Sequence, residues 1–167
     1  MRTGYRATIA QFMGCDPDTV VGSLSQAIAD AGMTRQHSSQ IRVWREQVGL
    51  LKRSFQELTR NVQQATGWTV ALEYEIPRRQ KRPDAIILTD KMVFVVEFKF
   101  GASVHDASAR WQVEEYALNL RDFHAGSADC LIVPLLCATD APATSSGVPS
   151  SNGQQVTPTL LSNAGNL

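Results

Sequence analysis

Apolar and polar positions alternate along the chain in four distinct ways. From Gln40 to Thr66, the apolar residues Ile41, Trp44, Val48, Leu51, Phe55, Leu58 and Val62 recur at steps of three and four. That period is one stripe of a long amphipathic helix, which Ser38 or Ser39 can cap and Gly67 can end. Trp68–Ile76 alternates strictly, with Val70, Leu72, Tyr74 and Ile76 against Thr69, Ala71, Glu73 and Glu75, and Pro77 stops it. Ala85–Leu88 and Met92–Phe100 are short apolar runs separated by Thr89-Asp90-Lys91, a hairpin pattern. The second run is apolar at successive positions up to Glu97, which places it mid-sheet with both faces covered. A helical pattern returns from about Asp106 to Phe123, and Cys130–Cys137 reads as a further strand, parallel to the earlier one after the helical crossover. Val156–Leu161 is a candidate last strand. Residues 1–39 show one short helix, Ser23–Ala31, and little else. The expected fold is α/β, a mixed central sheet flanked by helices.

With a turn at Asp90-Lys91, outward counting pairs Leu88 with Val93 and finally Asp84 with Glu97. A three-residue turn would slip that pairing by one. Opposed residues have Cβ atoms ~5 Å apart, and period two puts Glu97 and Lys99 on one strand face. Two carboxylates and an amine then meet at one end of the hairpin. Facing carboxylates repel unless a proton or cation lies between them, and a hard divalent ion suits oxygen donors. With a lysine beside it, such an ion serves phosphodiester hydrolysis. The alternative is a structural ion pair between Lys99 and Glu97 or Asp84.

Pro83-Asp84, twelve residues, then Glu97-x-Lys99 resembles the PD-(D/E)xK nuclease superfamily, and Gln112-x-x-x-Tyr116 is similar to the motif of its RecB-like branch. Trp44, Glu73-Tyr-Glu-Ile-Pro77, Lys81-Arg82-Pro-Asp84 and Cys137-Ala-Thr-Asp140 resemble the amino-terminal region of bacterial Schlafen-like group 3 DNA/RNA helicases. The resemblance covers most of residues 1–167. It implies a restriction-endonuclease-like fold and Mg2+- or Mn2+-dependent cleavage of DNA, with RNA a further possible substrate. Asp84, Glu97 and the Phe98 carbonyl would hold the metal. Lys99 would act on water or on developing charge, and Gln112 and Tyr116 would orient Lys99 and the phosphate. The superfamily often adds a carboxylate from its first helix, for which Glu46 is the better candidate and Glu57 the other, although each reads first as a solvated flank of the apolar stripe. Glu73 or Glu75 could also reach the metal from a neighbouring strand, although the pair reads first as surface carboxylates. A nuclease-fold module that binds nucleic acid or a partner protein without cutting is the competing expectation.

Composition changes this picture in few places. A length of 167 residues at 43% hydrophobic is one domain with a buriable core. Residues 1–39 form a lead-in, 40–140 the core, and 141–167 a loop with the possible last strand. The resemblance implies continuation toward an ATPase portion, although no Walker A motif occurs. Net charge is zero, yet Arg78, Arg79, Lys81 and Arg82 cluster just before Asp84 and are candidates for phosphate contact. Three cysteines without metal-ligand spacing and no signal-like or long apolar segment point to the cytoplasm and away from a membrane. His105 and His124 lack partners at ligand spacing and are assigned no metal, and His37 reads as a solvated side chain.

Overall fold

The computed structural model describes residues 3–32, 38–76, 79, 81–127, 129–144 and 153–167. Six strands form one mixed sheet in sequence order: β1 (Thr3–Thr8), β2 (Thr69–Tyr74), β3 (Ala85–Leu88), β4 (Met92–Lys99), β5 (Leu131–Ala138) and β6 (Leu160–Ser162). The first four pair antiparallel, while β4–β5 and β5–β6 are parallel. Helices α1 (Ile9–Gly14), α2 (Pro17–Asp30) and α3 (Ser38–Asn61) cover one face, and α4 (Ala107–Phe123) crosses over the other between β4 and β5.

The α3 stripe is buried as its period requires, with Trp44, Val48, Leu51 and Phe55 packed on Val70, Leu72 and Val96. The helix ends at Asn61, earlier than expected, and Gln63–Gly67 tightens into a 3-10 turn. Thr59 and Asn61 there bond back to the carbonyls of Phe55 and Glu57, a use of short polar side chains that suits a helix end better than its interior. Strand β4 lies between β3 and β5, with Val95 and Val96 fully buried in the two opposite cores. That placement agrees with its unbroken apolar run.

The lead-in holds more order than its pattern announces. It contains an edge strand, a capping box of Thr8 with Gln11 that starts α1, and an Asp16 cap with Pro17 at the first turn of α2. At the other end, Val156 makes a single bridge to Ile132, and β6 proper is delayed to Leu160 by Pro158. Cys15, Cys130 and Cys137 are free thiols. Among the described residues no helix is long and apolar enough to cross a membrane.

Candidate active site

The β3–β4 hairpin sets the site. Its ladder pairs Leu88 with Val93, Ile87 with Phe94, Ile86 with Val95 and Ala85 with Val96, so the next step outward opposes Asp84 and Glu97. Asp-Lys is a poor two-residue turn by composition. Thr89 compensates: its hydroxyl accepts from the amides of Lys91 and Met92 and its own amide bonds the Met92 carbonyl.

The same row extends to β2. Leu72 pairs with Ala85, and the Glu73 amide donates to the Asp84 carbonyl at 3.2 Å, so Glu73, Asp84 and Glu97 occupy adjacent places on three strands. Glu73 has φ +51°, a left-handed conformation that side chains other than glycine rarely adopt. The kink breaks the period of two. Leu72 packs in the core under α1–α3, whereas Tyr74 joins the core under α4. Glu73 Oε1 accepts from the indole of fully buried Trp44 at 3.0 Å. The strain is held by neighbours on both sides. Gly4 stands across from Glu73 on β1, where an added Cβ would lie 3.0 Å from the Glu73 Cβ and 2.7 Å from Leu24 Cδ2.

Asp84 Oδ2 accepts from the Phe98 amide at 2.7 Å, and its carbonyl accepts from the side chain of buried Gln47 at 2.9 Å. Glu97 is 5% exposed. Its Oε1 meets Lys99 Nζ at 2.9 Å, and Lys99 also donates to Gln112 Oε1 at 2.9 Å. Gln112 Nε2 donates in turn to the Tyr116 hydroxyl at 2.8 Å. Their four-residue spacing on α4 aligns that relay against the strand face carrying Glu97 and Lys99. Glu97 Oε2 is buried and meets no cation or amide; the neighbour that bonds toward the Glu97 carboxyl is Asp84, itself a carboxyl.

Burial pushes the Asp84 carboxyl well above its ordinary range, and the Glu97 charge adds to the shift while the Phe98 amide opposes it. Burial also raises Glu97, against the hydrogen bond and charge of Lys99. Glu73 is raised by burial, with the Trp44 bond opposing. The pair is a concentrated acceptor site with too little protein cation to satisfy it.

Among the described residues, no three His, Cys, Asp or Glu side chains are grouped to hold a metal ion. The available donor set is therefore the Asp84–Glu97 pair, with the orphaned Glu97 Oε2 as its open position. Two carboxylates fit Mg2+, which characteristically binds one or two and fills its octahedron with water and substrate phosphate. The Phe98 amide positions Asp84; its carbonyl is the backbone donor that the sequence resemblance implies.

The other sequence candidates fall elsewhere. Glu46 is on the exposed side of α3, 3.8 Å from Arg42. Of the basic cluster, Arg78 lies outside the described residues. Arg79 stacks its guanidinium 4.6 Å from the Phe123 ring centroid, Lys81 pairs with Glu115 at 3.3 Å, and Arg82, 19% exposed, pairs with Glu75 at 2.8 Å. His105 contacts the Ser162 carbonyl and His124 the Ser127 hydroxyl, while His37 lies outside the described residues. Trp44 and Gln47 are contributors that periodicity assigned to the helix alone. A signal for Gln47 existed: it falls three residues after Trp44 beside Val48, a polar side chain on an apolar stripe that needs a partner when buried. Comparison with family models, curated proteins and solved structures gives no match to this chain.

Proposed function

We propose that the chain is a divalent-metal-dependent nuclease that hydrolyses phosphodiester bonds of DNA. The observation that carries this reading is the Lys99 amine, held between Glu97 and Gln112 beside a carboxylate pair with an orphaned oxygen. It is joined by the resemblance of Pro83-Asp84, Glu97-x-Lys99 and Gln112-x-x-x-Tyr116 to PD-(D/E)xK nucleases.

Asp84 and Glu97 would hold Mg2+ or Mn2+, with the Phe98 carbonyl as a backbone donor. Bound there, the cation supplies Lewis-acid polarisation of the phosphate and makes a water more acidic. Lys99, fixed by two acceptors, orients the attacking water and places positive charge where negative charge develops on the phosphate oxygens. Gln112 keeps Lys99 in place and is itself held by the Tyr116 hydroxyl. Gln47 and the Phe98 amide fix the Asp84 main chain and side chain. Arg79 and Lys81 are exposed and remain candidates to meet backbone phosphates, and Arg78 stays a candidate by its charge alone; the half-buried Arg82 would first have to leave Glu75.

A second reading, a nuclease-fold module that binds nucleic acid or a partner protein without cutting, draws on the pairing of Lys81 and Arg82 and on the two-carboxylate donor set. Supercoiled plasmid incubated with the protein in Mg2+, Mn2+ or EDTA separates the two. Metal-dependent nicking supports hydrolysis. Intact plasmid in every metal, with retained binding, favours the second reading. RNA as substrate and a helicase portion as companion belong to the same proposal.

A further inference from the structure

Among the described residues, the large apolar side chains that stand exposed are Val104, at 65%, and Trp111, at 72%. Both follow Lys99 closely, one on the loop leading into α4 and one within the helix. The fold does not need the Trp111 indole, because α4 buries its other side through Ala109, Val113, Tyr116, Ala117 and Leu120. Trp111 instead stands on an open face of α4 with Ser108, Gln112, Glu115 and Leu118. Gln112 belongs both to this face and to the Lys99 relay, so the face lies beside the candidate catalytic lysine.

The occupant follows from the lining. A stable dimer buries ~800 Å² per partner around an apolar centre. This face offers one indole and one leucine among Ser, Gln and Glu, which is too polar and too small for that. Glu115, the acid of this face, is paired with Lys81 at 3.3 Å, so an anionic strand meets little net repulsion there. A flat, exposed ring beside a phosphodiester site suits a nucleobase, since stacking asks only for a π-face. In a duplex both faces of each interior base are already stacked, so such a platform serves unpaired bases in single strands, loops or frayed ends.

We propose that Trp111 is a stacking platform for an unpaired base of a nucleic-acid strand whose adjoining phosphate lies at Lys99. The placement at Lys99 rests on the nuclease reading of the neighbouring site, and it gives that site a preference for single-stranded substrate.

The test is binding in EDTA, where cleavage does not interfere. Trp44 is fully buried and Trp68 half-buried, so base stacking on Trp111 quenches mainly its own emission. A thymidine oligonucleotide of about 16 nucleotides should quench wild type, whereas a duplex of equal length should not. Trp111→Ala should weaken single-strand binding about tenfold or more, and Trp111→Phe should retain most of it. Equal affinity of wild type and Trp111→Ala, or equal quenching by duplex, overturns the proposal. So does a wild-type dimer in sedimentation that Trp111→Ala dissociates, which would make the face an interface between copies. The two readings fail separately. Trp111-dependent binding without cleavage in any metal removes the nuclease and keeps the platform, while cleavage that Trp111→Ala leaves unchanged removes the platform and keeps the nuclease.

Discussion

Asp84→Asn tests whether the carboxylate pair is built for a cation at the expense of the metal-free fold. The substitution keeps the shape and retains an acceptor for the Phe98 amide, but it removes the carboxyl that titrates against the Glu97 charge. Burial and the Glu97 charge raise the Asp84 carboxyl above its ordinary 3.8. Between that value and the raised one, the folded state keeps a proton that the unfolded chain has lost. Stability therefore falls as pH rises through this window, the reverse of an ordinary surface carboxylate. Asparagine stays neutral at every pH and so escapes this loss, a gain of ~1–2 kcal/mol, the ordinary size of a single-substitution effect, at a site where Lys99 already offsets part of the penalty. For a chain of this size that is a Tm rise of about 2–8 °C at neutral pH in EDTA. The gain should vanish near pH 4, where the unfolded carboxyl also takes up a proton. Mg2+ or Mn2+ should raise the Tm of wild type and leave that of the variant nearly unchanged. The assay is thermal melting across pH with and without metal. A variant that melts below wild type at neutral pH in EDTA would refute the strained-pair reasoning.

Three further outcomes follow from the same row of residues. Trp44→Phe removes the donor to Glu73 and should cost ~2 kcal/mol, a Tm loss of about 4–8 °C by calorimetry; an unchanged Tm would mean the indole bond contributes nothing. Gly4→Ala drives a methyl against Leu24 and Glu73 and should destabilise by ~1–3 kcal/mol in urea unfolding, with full stability contradicting the close approach. Glu97→Gln should abolish most of the Mn2+ binding seen by titration calorimetry, and equal binding by wild type and variant would remove the metal site.

Much of this arrangement was legible before any coordinates. The hairpin register follows from two apolar runs and a two-residue turn, and the observed Leu88–Val93 pairing is the one that opposes Asp84 to Glu97. The α3 stripe and the extent of α4, from its cap Asp106 to Phe123, are equally local signals. What escaped depends on non-local contacts. Strand β1 is an edge strand whose TGYRAT pattern is too short and mixed to announce itself, and it forms because β2 supplies a partner. The Glu73 kink leaves no trace in composition: alternation alone puts Glu73 with Glu75 on one face, and only the Trp44 bond and the Gly4 clearance show why it turns. The basic cluster reads as phosphate-binding by count. Its pairing with Glu75 and Glu115, residues 7 and 34 positions away along the chain, is a tertiary outcome.

Hydrolysis as proposed turns on Lys99, whose part is read directly from the single-turnover rate of plasmid nicking in Mn2+ by wild type and Lys99→Met. Methionine keeps the length and apolar stem while deleting the amine. The variant leaves the buried Glu97 without its cation, so it should lose stability, by up to ~3–5 kcal/mol, and the rates must be taken below its melting temperature. The account predicts that folded Lys99→Met nicks ~10²–10³-fold more slowly than wild type, as expected when an oriented charge is lost from a transition state. A folded variant that nicks as fast as wild type would contradict it.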